Sequence, residues 1–257
     1  MKGWRKVLLA AVFIFAATLT AWEIHLASGL GLRVEGLAVA AGTSNDNGDP
    51  FAQETKAVAD PLQSFNRAIF QINDKLYFYF WKPIATVYSW YVPCGVRECI
   101  RRAFDNARMP VRFVNNLLQC KPEQAGSEVG RFVINSTLGM GGFFDIAQTH
   151  FKMKAYDEDF GQTLGVWGAP HHFHIHLPIL GPSTLRDTVG LAVDALLSPL
   201  FYVPADIAVT AGIRGGEGVN TTSLRIGEYE DFKKSAIDPY ISMRDGYIQF
   251  REEEVRR

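Results

Sequence analysis

The chain has 257 residues with 26 basic and 27 acidic side chains, a formal net charge of −1 at neutral pH. That balance argues against nucleic acid, which needs a basic stripe, and the length fits one domain with or without a leader. At 47% hydrophobic and 21% charged, with 18 Phe, 9 Tyr and 5 Trp, there is enough apolar material for a core and for an apolar exterior as well.

Lys2, Arg5 and Lys6 precede an apolar run from Val7 to Ala21 broken only by Thr18 and Thr20. This pattern reads as an export signal, and the run falls short of the ~20 apolar residues that a comfortable bilayer span needs. The first clean small-x-small pattern is Ala38-Val39-Ala40, so residues 1–41 are read as a signal peptide or an N-terminal anchor. Both readings carry the rest of the chain out of the cytoplasm. Residues 42–59, with Asn45-Asp46-Asn47-Gly48-Asp49-Pro50, read as a linker. Cysteine is sparse and odd in number: Cys94, Cys99 and Cys120. Either Cys94 or Cys99 bridges to Cys120, or all three are buried thiols acting as small apolar residues.

The folded domain spans 60–250, with 251–257 as a charged tail. Asp60-Pro61 has the form of an N-cap followed by Pro at the first helical position, and Leu62, Phe65, Ile69, Ile72, Leu76 and Phe80 recur at helical spacing. Pro83 is expected to interrupt, with a second helix through Val87. Pro93 to Met109 reads as a helix carrying Arg97, Arg101, Arg102 and Arg108; Pro110 restarts the chain with Val111, Val114, Leu117 and Leu118 on one face. Lys121-Pro122-Glu123 opens a helix to about Ser136, ended by the glycines around Gly139. From Gly168 to Gly181, with Pro170 and Pro178, the expectation is loop or irregular strand. Ser183 is read as the cap of a helix with Leu185, Val189, Val193 and Leu196 on its face, and Asp238-Pro239 opens a C-terminal helix with Tyr240, Met243, Tyr247 and Phe250. The fold class is mostly α, in short helices punctuated by proline.

Catalytic signatures are missing. Asp157, Glu158 and Asp159 are adjacent on a loop, where carboxylates do not face one another as a catalytic pair must; capping and hydrogen bonding to backbone N–H groups suits them better. Ser136 and Ser183 lack the G-x-S-x-G elbow, and Gly139-Met140-Gly141-Gly142 lacks dinucleotide spacing. His172, His174 and His176 would share a face in a strand, a weak candidate comb for Zn²⁺ or Cu²⁺, with loop polarity and headgroup contact as alternatives. The arginines at 97, 101, 102, 108 and 112 suit a solvated or salt-bridged face, with contact to lipid phosphate as the other reading. Phe70, Tyr77, Phe78, Tyr79, Phe80 and Trp81 are more aromatics than one core face can bury and fit a lipid–water interface.

Seven motifs in order resemble the MlaA/VacJ family. They are Asp60-Pro61-Leu62-x-x-Phe65-Asn66-Arg67 with Asn73-Asp74-Lys75; Phe113 to Gln119; Gly130 to Thr137; Gly139 to Asp145; Tyr156 to Gly168; and Gly181 to Asp187, closed by Asp238-Pro239-Tyr240-Ile241-x-x-Arg244. The resemblance implies a ring of short amphipathic helices lying in the outer membrane of a Gram-negative bacterium around a polar passage. It further implies removal of phospholipid from the outer leaflet to a periplasmic carrier, so that lipid asymmetry is maintained, with trimeric porins as partners, no cofactor and no covalent chemistry. A non-transporting scaffold associated with porins is the alternative. Within this frame Asp60, Pro61, Phe65, Asn66, Asn73, Asp157, Asp159, Phe160, Gly161, Gln162, Trp167, Arg186, Asp187, Asp238 and Pro239 are expected to be structural. Leu138, Gly139, Met140, Gly141, Gly142, Phe143 and Phe144 are the candidate hairpin forming a mobile wall of the passage. One departure stands out: the family's usual acylated cysteine after the leader has no counterpart, since the first cysteine is Cys94.

Overall fold

The computed structural model describes residues 60–171, 173–202 and 207–257; the expected leader, linker and His172 lie outside them. The helices are α1 (Gln63–Leu76), α2 (Lys82–Tyr91), α3 (Cys94–Ala107), α4 (Met109–Leu118), α5 (Pro122–Thr137), α6 (Ile146–Thr149) and α7 (Phe160–Val166). A hairpin follows, β1 (His174–Leu177) and β2 (Gly181–Thr184), then α8 (Leu185–Leu197), α9 (Ile207–Leu224), α10 (Glu228–Ser235) and α11 (Pro239–Arg256). The contacts close on themselves: α1 leads into α2, α2 packs on α9, α9 on α3, α3 on α4, α4 on α7, α7 on α8, α8 on β2, and β1 returns to α1. This is a ring of short helices.

Several boundaries differ from expectation. Asp60 does not cap α1, which begins at Gln63; its carboxylate is drawn instead to Asn66, Tyr240 and Arg244. Pro83 does not interrupt. The chain stays helical from Gln63 to Tyr91 through a π-helical stretch, Tyr77–Trp81, in which Lys82 N–H bonds the Tyr77 carbonyl. Widening the turn to i→i+5 gives the proline ring the room that an α-turn denies it. Thr184, one residue after Ser183, caps α8 through its side chain, while Ser183 lies within β2. α11 continues to Arg256 and buries Arg251, where a charged tail was expected. All three cysteines are free, Cys94 and Cys120 at the surface and Cys99 half-buried; they sit on α3 and in the turn after α4, and no bridge joins them.

The distribution of polarity is inverted. Among the described residues 26 polar or charged side chains are buried against ten hydrophobic ones, while 28 large hydrophobic side chains are exposed. On α1, Leu62, Phe65 and Ile72 face outward while Asn66 and Phe70 are buried. α5 exposes Val129 and Val133 and buries Glu128, Arg131 and Asn135; α8 exposes Leu185, Val189 and Leu196 and buries Arg186, Asp187 and Asp194. The apolar stripes anticipated from periodicity exist, but several of them point away from the centre.

The hairpin is held to α1 by two asparagines. Asn66 donates to the carbonyl of His174 (3.1 Å) and accepts from the N–H of His176 (2.9 Å); Asn73 donates to Leu177 O (2.9 Å) and accepts from Ile179 N–H (2.6 Å). Each amide imitates a strand partner along the outer edge of β1. The spacings match physically: seven helical residues rise about 10.5 Å, and the three-residue offset along the strand covers about 10 Å. Asn66→Ala would orphan a buried carbonyl and a buried N–H, and should cost about 2–3 kcal/mol, read as a lowered midpoint of denaturant unfolding in detergent with the helical signal of the folded state unchanged.

Candidate functional site

The interior is a chain of paired charges. Arg251, from α11, donates to Asp159 through Nη1 (2.6 Å) and Nη2 (2.8 Å), and to Asp187 through Nε (3.1 Å) and Nη2 (3.0 Å). Tyr247 Oη adds a bond to Asp187 (2.7 Å), and Arg186 Nε another (3.1 Å). Asp159 also caps α7 by accepting from Gln162 N–H (2.8 Å). One guanidinium thus ties the start of α7 and the first turn of α8 to α11. Burial alone would raise the Asp187 pKa, but Arg251 and Arg186 overcome it and hold the carboxyl at about 2. A cavity of about 20 Å³ lies beside these groups, bounded by Asp159, Ser183, Asp187, Asp194, Tyr247 and Arg251, with room for one water.

Asp194 has no cation of its own. It accepts from Asn115 Nδ2 (2.9 Å) and from Phe160 N–H (3.0 Å), and burial together with the nearby Asp159 carboxylate pushes its pKa well above the ordinary range. Thr163 Oγ1 donates to Asn115 Oδ1 (2.9 Å), and Gln119 and Lys121 both donate to Glu158 (2.9 Å each). α7 sits so near α8 that a Cβ on Gly190 would lie 2.4 Å from Gly161 N. Trp167 Nε1 donates to Leu118 O (3.0 Å) while the ring stays half outside. Asp157 remains exposed, 3.7 Å from Arg112.

Asp238 caps α11 through Tyr240 and Ile241 N–H, with Pro239 in the first turn, and accepts from Arg67 (2.6 Å). Asp60 takes Asn66, Tyr240 and Arg244. Phe65 is 54% exposed and so lies outside the core. His174 and His176 share the buried face of β1, against Phe70 and Tyr240. They are neither loop residues nor within reach of a headgroup. Among the described residues no group of three His, Cys, Asp or Glu side chains is arranged to hold a metal.

The turn after α5 projects Leu138, Met140, Phe143 and Phe144, all exposed. It is tied from within: Gly141 N–H bonds Ser136 O (3.0 Å), Gly142 N–H bonds Asn135 O (2.8 Å), and Phe144 N–H bonds Gly139 O (3.0 Å). Asn135 reaches Asp145 (3.0 Å) and accepts from Ala147 N–H (2.9 Å), while Arg131 holds Asp145 (2.9 Å). Only glycine fits at 139, where a Cβ would lie 2.2 Å from Phe144 O; Gly142 has φ +94° and abuts Asn106. The glycines serve a close, hydrogen-bonded turn that displays four apolar side chains.

A ring of helices with charges inside, apolar residues outside and these motif residues at its joints matches a known family. The model of the MlaA lipoprotein family aligns with residues 58–254. The chain belongs to the MlaA family. It is 34% identical over 194 residues to the intermembrane phospholipid transport system lipoprotein MlaA of Shigella flexneri, covering 74% of this chain and 76% of that protein. The protein of the same name from Escherichia coli is 32% identical over the same shares. A chain from a solved structure concerned with maintenance of bacterial outer membrane lipid asymmetry superposes with a TM-score of 0.67 at 32% identity, covering 77% of this chain and 99% of that one.

Sequence reasoning named Asp159, Asp187 and the Asp238-Pro239 cap, placed Tyr247 on a helix face and Asn115 in a motif without a separate role for either, missed Arg251 and Asp194, and did not assign α6, α7, α9 or α10. Asp159-x-x-Gln162 is a capping pattern that marks the start of α7. Glu228 to Lys234, acidic first and basic last, marks α10. α9 is rich in Gly and Thr and has no comparable signal.

Two predictions follow from this packing. Arg251→Met leaves Asp159 buried without its cation and Asp187 with Arg186 alone, and should destabilise by about 3–5 kcal/mol, part of which an added Asp159→Asn should recover in the same unfolding assay. Burial pushes His174 down to about 4 and, with His174 beside it, His176 down to about 3. The unfolded chain takes those protons near pH 6.5, so this stabilisation is complete above pH 6.5 and is lost as the pH falls toward 4 and then 3. Against its own value at pH 7, a His174→Asn/His176→Asn variant should lose less stability on going from pH 6.5 to 4 than the unaltered chain does.

Proposed function

We propose that this protein is an outer-membrane component of a phospholipid transport system, removing mislocalised phospholipid from the outer leaflet and passing it to a periplasmic carrier so that lipid asymmetry is maintained. The observation that carries the reading is the inverted polarity of a ring that belongs to the MlaA family. Apolar side chains on the outer faces of α1, α2, α5 and α8 suit contact with acyl chains, and Tyr79, Trp90, Tyr91 and Trp167 are exposed aromatics of the kind that sit at the lipid–water boundary. The interior groups suit a headgroup that must leave water without entering hydrocarbon. Relatives named as parts of an intermembrane phospholipid transport system support the cargo.

Among the described residues no helix is long and apolar enough to cross a membrane. The ring therefore lies in the leaflet by its outward apolar face, toward the periplasmic side, where trimeric porins are its membrane partners and a soluble carrier receives the lipid. The first cysteine is Cys94 on α3, so attachment is assigned either to the Val7–Ala21 segment kept as an anchor or to the outward apolar face itself, and not to an acylated Cys94. Transport is retrograde, toward the inner membrane. No covalent step is involved: lipid moves because the carrier buries its chains. The turn at 138–144 forms one wall of the route and holds the lipid side of the passage with Leu138, Met140, Phe143 and Phe144.

The test is transfer of labelled phospholipid from vesicles containing the full chain to the purified carrier. Transfer of intact lipid is expected; insertion without transfer would favour a porin-associated scaffold, and release of free fatty acid would indicate hydrolysis. Each half-exposed apolar side chain of the turn offers roughly 1 kcal/mol of contact with lipid. Leu138→Asn with Phe144→Asn should accordingly slow transfer by about ten-fold while the protein still inserts, as measured by the initial rate of label appearing on the carrier.

A further inference from the structure

α3 and α9 meet along a polar seam. Arg214, Glu217 and Thr221 fall at i, i+3 and i+7 on α9 and so form one stripe, which Arg225 continues just past the end of the helix. Arg101, Phe104 and Asp105 of α3, with Arg108 at its C-terminal cap, line the opposite side of the crevice from Glu217, Thr221 and Arg225. Arg101 is held by Glu98 (3.0 Å) and Asp105 (2.9 Å), and Arg108 bonds Glu217 through its Oε1. Arg214 is different. It has no hydrogen bond or ion pair among the described residues, and its Nε is buried without a partner. Burial, with Arg108 adding repulsion, lowers its pKa against the pull of Glu217. Glu217 Oε2 is likewise buried and unpartnered.

Arg97 and Arg131 also have a buried Nε without a partner, but the rest of each of their guanidinium groups is engaged. Arg97 reaches Ser223 O (2.6 Å), Arg112 reaches Glu128 (2.6 Å), Arg131 reaches Asp145 (2.9 Å), and Arg251 holds two carboxylates. A half-buried guanidinium that is neither paired nor fully hydrated is costly, and its fork of donors matches the oxygens of a carboxylate or a phosphate; of these, phosphate is the anion that the proposed cargo carries. The same pair of helices displays apolar side chains to the outside. Val209 on α9 is exposed, and so are Val96 on α3 and Phe201 and Tyr202 shortly before α9. Val209 precedes Arg214 by five residues, about 7.5 Å along the helix and about 140° around it, so the apolar side chain lies on the outer side of the helix that carries the guanidinium.

We infer that the seam between α3 and α9 binds the phosphodiester of a glycerophospholipid, with Arg214 as the residue that reads the phosphate. The inference rests on the transport reading above and adds to it the position at which the headgroup is selected. Glu217, already engaged by Arg108, lies one turn along α9 from Arg214 and attracts it. Its free oxygen repels a second negative charge, so the seam takes a singly charged diester in preference to a doubly charged monoester.

The test titrates the full chain in non-ionic detergent with dioctanoyl phosphatidylglycerol, with dioctanoylglycerol, which lacks the phosphate, and with inorganic phosphate. Calorimetry gives each Kd, and lipid transfer to the carrier is measured in parallel. The unaltered chain should bind the phospholipid at least ten-fold more tightly than the diglyceride, a preference of the size expected from one charge-assisted contact. Arg214→Gln should bring the two within about two-fold without changing the melting temperature by more than a few degrees, and Arg214→Lys should keep part of the preference. An unchanged preference in Arg214→Gln would overturn the inference while leaving transport intact. Displacement of the lipid by inorganic phosphate at equal concentration would assign the site to free phosphate and overturn its lipid source. Failure of the unaltered chain to transfer lipid at all would instead strike the transport reading.

Discussion

Arg251 is buried with two carboxylates from two different helices, and nothing apolar could take its place without changing what surrounds it. In a soluble domain such a cluster would be an expensive insertion into a hydrocarbon core. Here the apolar residues that would compose that core lie on the outside, and the centre is made of Asn, Gln, Thr, Asp and Arg. Polar groups in the interior hold a structure together only when each finds a partner. The joints of the ring are accordingly hydrogen-bonded knots: Asp159, Asp187 and Tyr247 around Arg251; Asn115, Thr163 and Asp194 between α4, α7 and α8; Asn66 and Asn73 clasping the hairpin.

This construction explains why the helices are short and why the chain bends so often. A helix in the ring must present an apolar stripe outward and a polar stripe inward, then turn to follow the circumference. Pro93, Pro110 and Pro122 sit at such turns, while the π-helical stretch Tyr77–Trp81 carries the helix through Pro83 unbroken. Tyr77 of that stretch bonds Glu230 (3.1 Å), and Lys82 just beyond it pairs with the same carboxylate (2.6 Å). The π-helical stretch therefore also anchors α10. Where the ring meets lipid, function asks for apolar contact; where it meets a headgroup, function asks for charge. The same inversion serves stability and the proposed transport of lipid.

Arg214 marks the limit of that self-sufficiency. The knots around Arg251 are closed, whereas the seam between α3 and α9 leaves a guanidinium and a carboxylate oxygen open. Single open atoms remain at other joints as well, but there the side chains that carry them are otherwise paired, as those of Gln119 and Gln162 are. An open donor set beside an outward apolar surface is what a passage for an amphipathic molecule needs.

Much of this was legible in the sequence for a local reason. Asp238-Pro239, the helical period from Leu62 to Leu76, the proline restarts at 110 and 122 and the glycines after Thr137 each act over a few residues, so the chain alone determines helices, their faces and most of their ends. The motif resemblance pointed to the family, and an apolar outer face was expected with it. What a stripe looks toward is not a local property. Val129 and Glu128 are equally consistent with a helix facing either way until α4, with Arg112, fixes Glu128 inward. The reach of Asp60 to Tyr240 and Arg244, 180 residues away, likewise displaced it from the cap its neighbours suggested. The sequence by itself determined most of the longer helices and which of their sides were apolar. Tertiary structure alone decided which side is the inside, because buried charges choose partners across the fold and the partner, not the period, sets the direction.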